Sequence, residues 1–330
     1  MSSLGKRERV LRALSGEEVD KRPFTFWHPF GLSHMKAESL STVGISFAAA
    51  YGVDLLRFPS VKDLPVAPQT SLDRPHDLTT LEPVAAHSGF WAERIEGLRT
   101  TAKLAEGRIA VFETVPDPMT ALSWICPPEV LSVAERSHPS YLEKALGAVT
   151  ESLRNYVRSL ATESKVDGLV IEVASASYEA REPSDFTSLV KPHLSQLVEE
   201  IRTHSEVPIW IQLQGRRTYA EPLFDLEPSL LSWSHLAHGP GLDKLPKKQR
   251  IRVAGGLDES ALVRASYQGI RRQVEEARDM PVALLCPGDA LPADLAPSRL
   301  QALSNFLKKR DRLPEPTSSG GRPERVIDEP

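Results

Sequence analysis

The chain has 330 residues, of which 41% are hydrophobic and 25% charged, and its net charge is −4. This composition is typical of a globular protein and excludes collagen-like, coiled-coil and wholly disordered chains. The slightly acidic balance and the short apolar runs predict neither a nucleic acid nor a membrane as a partner. Two cysteines are too few for a disulfide framework, and no apolar segment follows the basic N-terminus, so we expect a cytoplasmic protein.

The first element is a short amphipathic helix predicted over Lys6–Ser15. Val10, Leu11 and Leu14 share one face of this helix. We expect the basic residues on the rest of its surface to be solvated; these are Lys6, Arg7, Arg9 and Arg12. Pro23 then prevents the helix from continuing.

Short and nearly continuous apolar runs follow, which is typical of strands buried on both faces of a parallel sheet. There are eight: Phe24–Trp27, Asp54–Phe58, Ile109–Val115, Gly168–Ala174, Pro208–Leu213, Leu230–Trp233, Ile251–Gly256 and Val282–Cys286. The segments between them show helical periodicity, and the clearest are Tyr141–Ala161, Leu189–His204, Leu262–Arg278 and Pro297–Lys309.

Strands that alternate with helices eight times predict an α/β protein with a single-domain (βα)₈ TIM barrel. A doubly wound open sheet is the alternative, but no glycine-rich dinucleotide motif follows the first run. We therefore expect an N-terminal helix and lead-in over residues 1–22, the barrel over 23–310 and a disordered tail over 311–330. The tail prediction rests on its proline, serine, glycine and charged residues.

In a TIM barrel the functional residues lie at the carboxyl ends of the strands and in the loops that follow them. His28, after the first run, offers an imidazole for acid–base chemistry. Glu172 lies inside an apolar run, so its carboxylate must be paired or must face a polar interior. Asp289 follows the last run, whereas Asp258 is expected to cap the next helix.

The same rule selects residues that could bind a polar, negatively charged substrate. They are Arg57, Gln212, Gln214, Arg216, Trp233 and His235. Gln212 and Gln214 are two positions apart and so face the same side of their strand, either as structural hydrogen-bonding groups or as substrate ligands. Arg216 either binds an anion or lies in solvent. We predict no metal site, because His235 and His238 have no evident third ligand.

Several segments, in order, resemble the uroporphyrinogen decarboxylase family from about residue 6 to residue 309. They are Arg7-Glu-Arg-Val-Leu-Arg-Ala-Leu-Ser-Gly-Glu-Glu-Val-Asp-Lys-Arg-Pro23, Tyr51-Gly-Val-Asp-Leu-Leu-Arg-Phe58, Val166-Asp-Gly-Leu-Val-Ile171, Val253-Ala-Gly-Gly-Leu-Asp-Glu259 and Pro287-Gly-Asp-Ala-Leu-Pro292. The family fold is a (βα)₈ barrel, which agrees with the eight apolar runs.

The resemblance implies a carboxy-lyase that acts on a tetrapyrrole or a similar anionic substrate without a cofactor. Asp54 matches the family aspartate that contacts pyrrole NH groups, so we expect Asp54, with His28, Glu172 and Asp289, to be catalytic. Two family arginines that bind substrate carboxylates are replaced by His28 and Leu32, and a histidine of the last loop by Asp289. The arginine replacements remove a bidentate geometry that nothing else supplies at those positions.

The same superfamily implies an alternative, a corrinoid-linked methyltransferase that uses zinc and a corrinoid protein partner. Its zinc ligands, His-x-Cys and a later Cys, are here Gln212-Leu-Gln214 and Asp289, and an amide is a poor zinc ligand. A non-catalytic barrel that binds a ligand is the third option. The family often forms dimers, and the resemblance implies a homodimer here.

Overall fold

The computed structural model describes residues 3–27, 36–62, 64–65, 71–246, 251–292 and 294–309. Two residues discussed above, His28 and Leu32, lie outside these ranges, and so does the tail predicted over 311–330. The described part contains no helix that is both long and apolar enough to cross a membrane. The domain boundaries stay a prediction.

Seven parallel strands form one sheet whose spatial order follows the chain. They are β1 (Leu55–Arg57), β2 (Ala110–Pro116), β3 (Gly168–Val173), β4 (Ile209–Leu213), β5 (Leu230–Ser232), β6 (Val253–Leu257) and β7 (Leu284–Pro287). Every residue of these strands is buried, as expected for a parallel sheet covered on both faces. Seven of the eight strand predictions are therefore confirmed, with ends that differ by at most two residues.

The helices lie mostly between the strands. They are α1 (Lys6–Ser15), α2 (Ala37–Tyr51), α3 (Phe90–Ala105), α4 (Pro118–Ile125), α5 (Pro128–Ser137), α6 (Pro139–Ser159), α7 (Pro183–Asp185), α8 (Lys191–His204), α9 (Glu259–Arg264), α10 (Tyr267–Arg278) and α11 (Pro297–Leu307). The helix predicted over Leu262–Arg278 is divided in two, because Ser266 accepts a hydrogen bond from the Gly269 amide and begins α10 as its N-cap. The predicted cap at Asp258 is confirmed at the start of α9.

The first predicted strand, Phe24–Trp27, is reduced to one parallel bridge between Phe24 and Leu285. The Leu285 amide donates to the Pro23 carbonyl at 2.9 Å, and the Thr25 amide donates to the Leu285 carbonyl at 3.0 Å. On its other side the Phe24 carbonyl accepts from the Asp54 amide at 2.9 Å. Pro23 has no N–H to extend the ladder. The segment thus links β7 to the start of β1, and the fold is TIM-barrel-like with seven assigned strands.

Helix α1 lies across the amino ends of the strands. Its Val10 and Leu14 side chains pack against an apolar layer inside the sheet, formed by Leu55, Ala110, Phe112, Val170, Trp210, Leu230, Ala254 and Leu284. The prediction that the basic face of α1 is solvated is wrong for Arg9, whose side chain is only 5% exposed. Arg9 is buried because its guanidinium donates to both Asp54 and Asp20. This end of the sheet is therefore filled and charge-paired.

Candidate functional site

The carboxyl half of the sheet interior is polar where the amino half is apolar. Glu172 on β3 and Gln212 on β4 are aligned as direct neighbours, and Gln212 is aligned with Ser232 on β5. Because alternate residues of a strand face the same side, these side chains continue the interior column that begins with the apolar layer. Arg57 ends β1, and its side chain is hydrogen-bonded to Thr114 on β2. We call these five residues the polar layer.

Arg57 is the central cation of the polar layer. Its guanidinium carbon lies 4.0 Å from the ring centre of Trp27 and 5.0 Å from that of Trp210. Its Nε donates to the Thr114 hydroxyl at 3.0 Å and its Nη2 donates to the Gln212 side-chain carbonyl. Its Nη1 is fully buried and has no hydrogen-bond partner among the described residues. Burial lowers the pKa of Arg57 to about 10, and nearby acids, Glu172 first, oppose the shift.

Glu172 supplies the buried carboxyl group of the site and is only 7% exposed. It accepts hydrogen bonds from the Ser60 hydroxyl and from the Gln214 side-chain amide. Burial raises the pKa of Glu172, while Arg57 and the Ser60 hydroxyl lower it, and the charge of Asp289 raises it further. Asp289 is half-buried in the loop after β7. A carboxyl whose pKa is raised holds its proton to a higher pH than a free carboxyl does, which suits it to donate a proton.

The loop after β7 is held tightly against the polar layer. Gln212 donates through Nε2 to the Gly288 carbonyl at 2.9 Å, so both ends of its amide are engaged. Glu259 accepts from the Gly288 amide at 3.0 Å and from the Ser234 hydroxyl. A Cβ at position 288 would lie 2.4 Å from the Ser234 Cα, so only glycine allows this approach. The loop is thereby fixed where the charge of Asp289 interacts electrostatically with Arg57 and Glu172.

The structure brings together five of the predicted site residues: Arg57, Glu172, Gln212, Gln214 and Asp289. Asp54 is not among them. It directly precedes β1 at the opposite end of the sheet, where its carboxylate lies 2.6 Å from Arg9 and accepts the Phe24 amide at 3.0 Å. We therefore do not retain Asp54 in the candidate site. The family resemblance selected Asp54 by its place in the segment Tyr51-Gly-Val-Asp-Leu-Leu-Arg-Phe58.

Trp233 and His235 follow β5 and lie beside the polar layer rather than in it. Trp233 donates through Nε1 to the Pro240 carbonyl at 2.6 Å and lines a separate cavity of about 170 Å³. The His235 Nε2 accepts from the Gly256 amide at 3.0 Å, and burial lowers the pKa of His235. This ring is therefore held as a neutral hydrogen-bonding group. Arg216 is exposed, which favours the solvated alternative.

The sequence reasoning missed several contributors to the site, among them Trp210, Thr114, Ser232, Ser60 and Glu259. Trp210 and Thr114 lie inside apolar runs, where nothing in the pattern distinguishes a site residue from a core residue. Ser60 lies in a loop with no motif, and Glu259 follows the helix cap Asp258. Strand alternation from Gln212 would have placed Trp210 on the interior face, and this was the one available signal.

Chemically, the arrangement combines a fixed buried cation with a carboxyl group of raised pKa. The cation can bind an anionic group, and the carboxyl can transfer a proton to or from the bound molecule. Within the described ranges, no three His, Cys, Asp or Glu side chains are grouped so that they could hold a metal ion. The site as described is thus suited to acid–base chemistry on an anion.

The family model for uroporphyrinogen decarboxylase (URO-D) matches residues 45–310. The chain belongs to the uroporphyrinogen decarboxylase family. The matched range includes all five residues that the structure brings together, and His28 lies before it. No curated protein matches the chain in sequence.

Two solved structures share the fold. A methyltransferase from Methanosarcina mazei is 18% identical, with a TM-score of 0.79 over 92% of this chain and 98% of that chain. A Listeria monocytogenes protein assigned as a vitamin-B12-independent methionine synthase is 12% identical, with a TM-score of 0.52 over 82% and 85%. At such identities the likeness establishes the fold and leaves the reaction to be argued from the site.

Proposed function

We propose that this family member is a carboxy-lyase that decarboxylates an anionic small molecule, a tetrapyrrole or a similar polycarboxylate, at the polar layer. The observation that carries the proposal is Arg57, a buried guanidinium with one nitrogen unpartnered in the described chain, next to the buried acid Glu172. The proposed reaction needs no cofactor. A cytoplasmic location and a homodimer are parts of the same proposal.

A buried guanidinium is costly unless an anion compensates it. The hydrogen-bond partners of Arg57, Thr114 and Gln212, are both neutral. Glu172 is hydrogen-bonded to Ser60 and Gln214 instead. A substrate carboxylate placed against Nη1 would supply the missing negative charge and satisfy that nitrogen. The two indole rings hold the guanidinium plane in position, which reduces the cost of ordering it.

The proposed chemistry uses Glu172 as the proton donor. Decarboxylation breaks the bond between carbon and CO₂ and leaves an electron pair on the carbon, which must be delocalised within the substrate. The protonated Glu172 gives its proton to that carbon, and the resulting carboxylate recovers a proton from water. Burial raises the pKa of Glu172, which favours the acid form that this step needs. Arg57 holds a second carboxylate of the substrate and so positions the reacting carbon.

The experiment is an anaerobic incubation with chemically reduced uroporphyrin, with products separated by their number of carboxyl groups. Arg57→Met should reduce kcat/KM at least 100-fold, and Glu172→Gln should reduce kcat by a similar factor with little change in KM. Arg271→Met and Glu275→Gln are the matched controls, since this exposed pair lies on the outer helix α10. Wild-type protein that neither converts uroporphyrinogen nor binds uroporphyrin in a fluorescence titration would overturn the proposal.

Methyl transfer is the alternative function that would replace the proposed decarboxylation. A thiol-activating zinc does not fit the described residues, because both ends of the Gln212 amide are already bonded to Arg57 and Gly288. Stoichiometric zinc in the purified protein, or binding of cobalamin, would show that the methyltransferase alternative is right. Binding of porphyrin without turnover would instead favour the non-catalytic barrel.

A further inference from the structure

A second cavity lies beyond the carboxyl end of β3, and no residue of the polar layer lines it. Its volume is about 130 Å³, and it is enclosed by α4, α5, α6 and the segment that follows β3. Its wall combines apolar side chains with hydroxyl groups and one charged pair. The lining residues that carry the argument are Met119, Ser123, Leu131, Glu135, Leu142 and Arg181.

Arg181 is the unusual member of this wall. Its side chain is only 10% exposed, and its Nε and Nη1 atoms are fully buried without a hydrogen-bond partner in the described part of the chain. Its backbone is fixed, since the amide donates to the Ser177 carbonyl at 2.9 Å and the carbonyl accepts from the Tyr219 hydroxyl at 3.0 Å. Nε has no polar partner in the described chain, whereas Nη1 has the ion pair with Glu135 alone. A guanidinium held in this way in a cavity wall can bind an anion.

The cavity also presents a negative charge at its edge. The Glu135 carboxylate lies 3.5 Å from the Arg181 Nη1, and its side chain is 36% exposed. Asp117, fully buried at the start of α4, adds a second carboxyl close enough to interact with Arg181. A simple anion would therefore meet two carboxyl groups of the protein. A ligand that carries one positive and one negative charge would match both Arg181 and Glu135.

We propose that this cavity binds a small apolar α-amino acid. Its carboxylate lies against the Arg181 guanidinium, its ammonium group lies against Glu135, and its aliphatic side chain packs on Leu131, Leu142 and Met119. A cavity of about 150 Å³ holds a benzene molecule, so a side chain of three or four carbons fits this one. The site is separate from the polar layer and does not depend on the proposed decarboxylation.

The test is isothermal titration of the full chain with L-valine, isovalerate and isobutylamine. Valine should bind, and the two analogues, which each lack one charged group, should bind at least tenfold more weakly. Arg181→Met should weaken valine binding at least tenfold. Glu135→Gln should weaken valine binding three- to tenfold and leave isovalerate binding equal or tighter, which a merely structural role for Glu135 would not produce.

Two further variants keep the proposal falsifiable. Ser123→Leu fills the cavity from α4 without touching either charge, and it should abolish valine binding while circular dichroism and thermal unfolding show a folded chain. Arg57→Met, in the polar layer, should bind valine as the wild type does. Wild-type protein that gives no heat with valine, or Arg181→Met protein that still binds it, would overturn the proposal.

Discussion

Replacing Asp54 by alanine separates a structural role from a catalytic one. Asp54 is 1% exposed, its carboxylate lies 2.6 Å from Arg9, and it accepts the Phe24 amide. The family resemblance makes this residue catalytic, whereas its position before β1 makes it the anchor of α1. We expect Asp54→Ala to destabilise the chain and to leave the catalytic step intact.

The magnitude follows from these contacts. Breaking a buried ion pair costs about 3–5 kcal/mol. Burial raises the pKa of Asp54, so desolvation offsets part of the attraction, and Arg9 keeps Asp20 as a second partner. We therefore take about 3 kcal/mol for the pair and about 1 kcal/mol for the amide that loses its acceptor. In a chain of this size the two together lower Tm by roughly 6 °C.

The assay is thermal unfolding with kcat/KM measured at 25 °C on the same samples. Asp54→Asn keeps an acceptor for the Phe24 amide and should lose about half as much stability. Asp20→Ala, the matched control, removes the other carboxylate from Arg9 at a more solvated position and should cost about 1–2 kcal/mol. A large fall in kcat/KM for Asp54→Ala with an unchanged Tm would refute the structural assignment.

Three further predictions concern other buried carboxyl groups. Glu113→Gln should cost about 3 kcal/mol in a denaturant titration, because Glu113 pairs with Arg94 at 2.8 Å; an additive double variant with Arg94→Met would contradict the pairing. The stability of the wild type relative to Glu172→Gln should fall as pH rises above the ordinary carboxyl value of 4.5, since the folded-state pKa of Glu172 is raised and the folded chain holds this proton more tightly. The proposed activity should fall over the same rise in pH. Asp117→Ala should cost about 2 kcal/mol and Asp258→Ala about 0.5 kcal/mol by thermal unfolding, because both cap helices but only Asp117 is fully buried; equal losses would show that burial adds nothing.

The sequence by itself determined the fold class, the α1 helix, seven of the eight strands and the facing of Gln212 and Gln214. These features depend on apolar runs and on alternation, which are local properties of the chain. The sequence also identified the family through the order of its segments, and it selected Arg57, Glu172 and Asp289 from the rule that strand ends carry the site.

The tertiary structure alone decided which candidate site residues lie close together. Asp54 directly precedes β1 and Arg57 ends it, so the two are only three residues apart, yet they lie at opposite ends of the sheet and have different partners. Trp27 and Trp210 are 183 positions apart, yet both stack on Arg57. The unsatisfied nitrogens of Arg57 and Arg181 were likewise visible only in space. The physical reason is that the burial of a polar group and its hydrogen-bond partners depend on packing between distant segments, which no local pattern encodes.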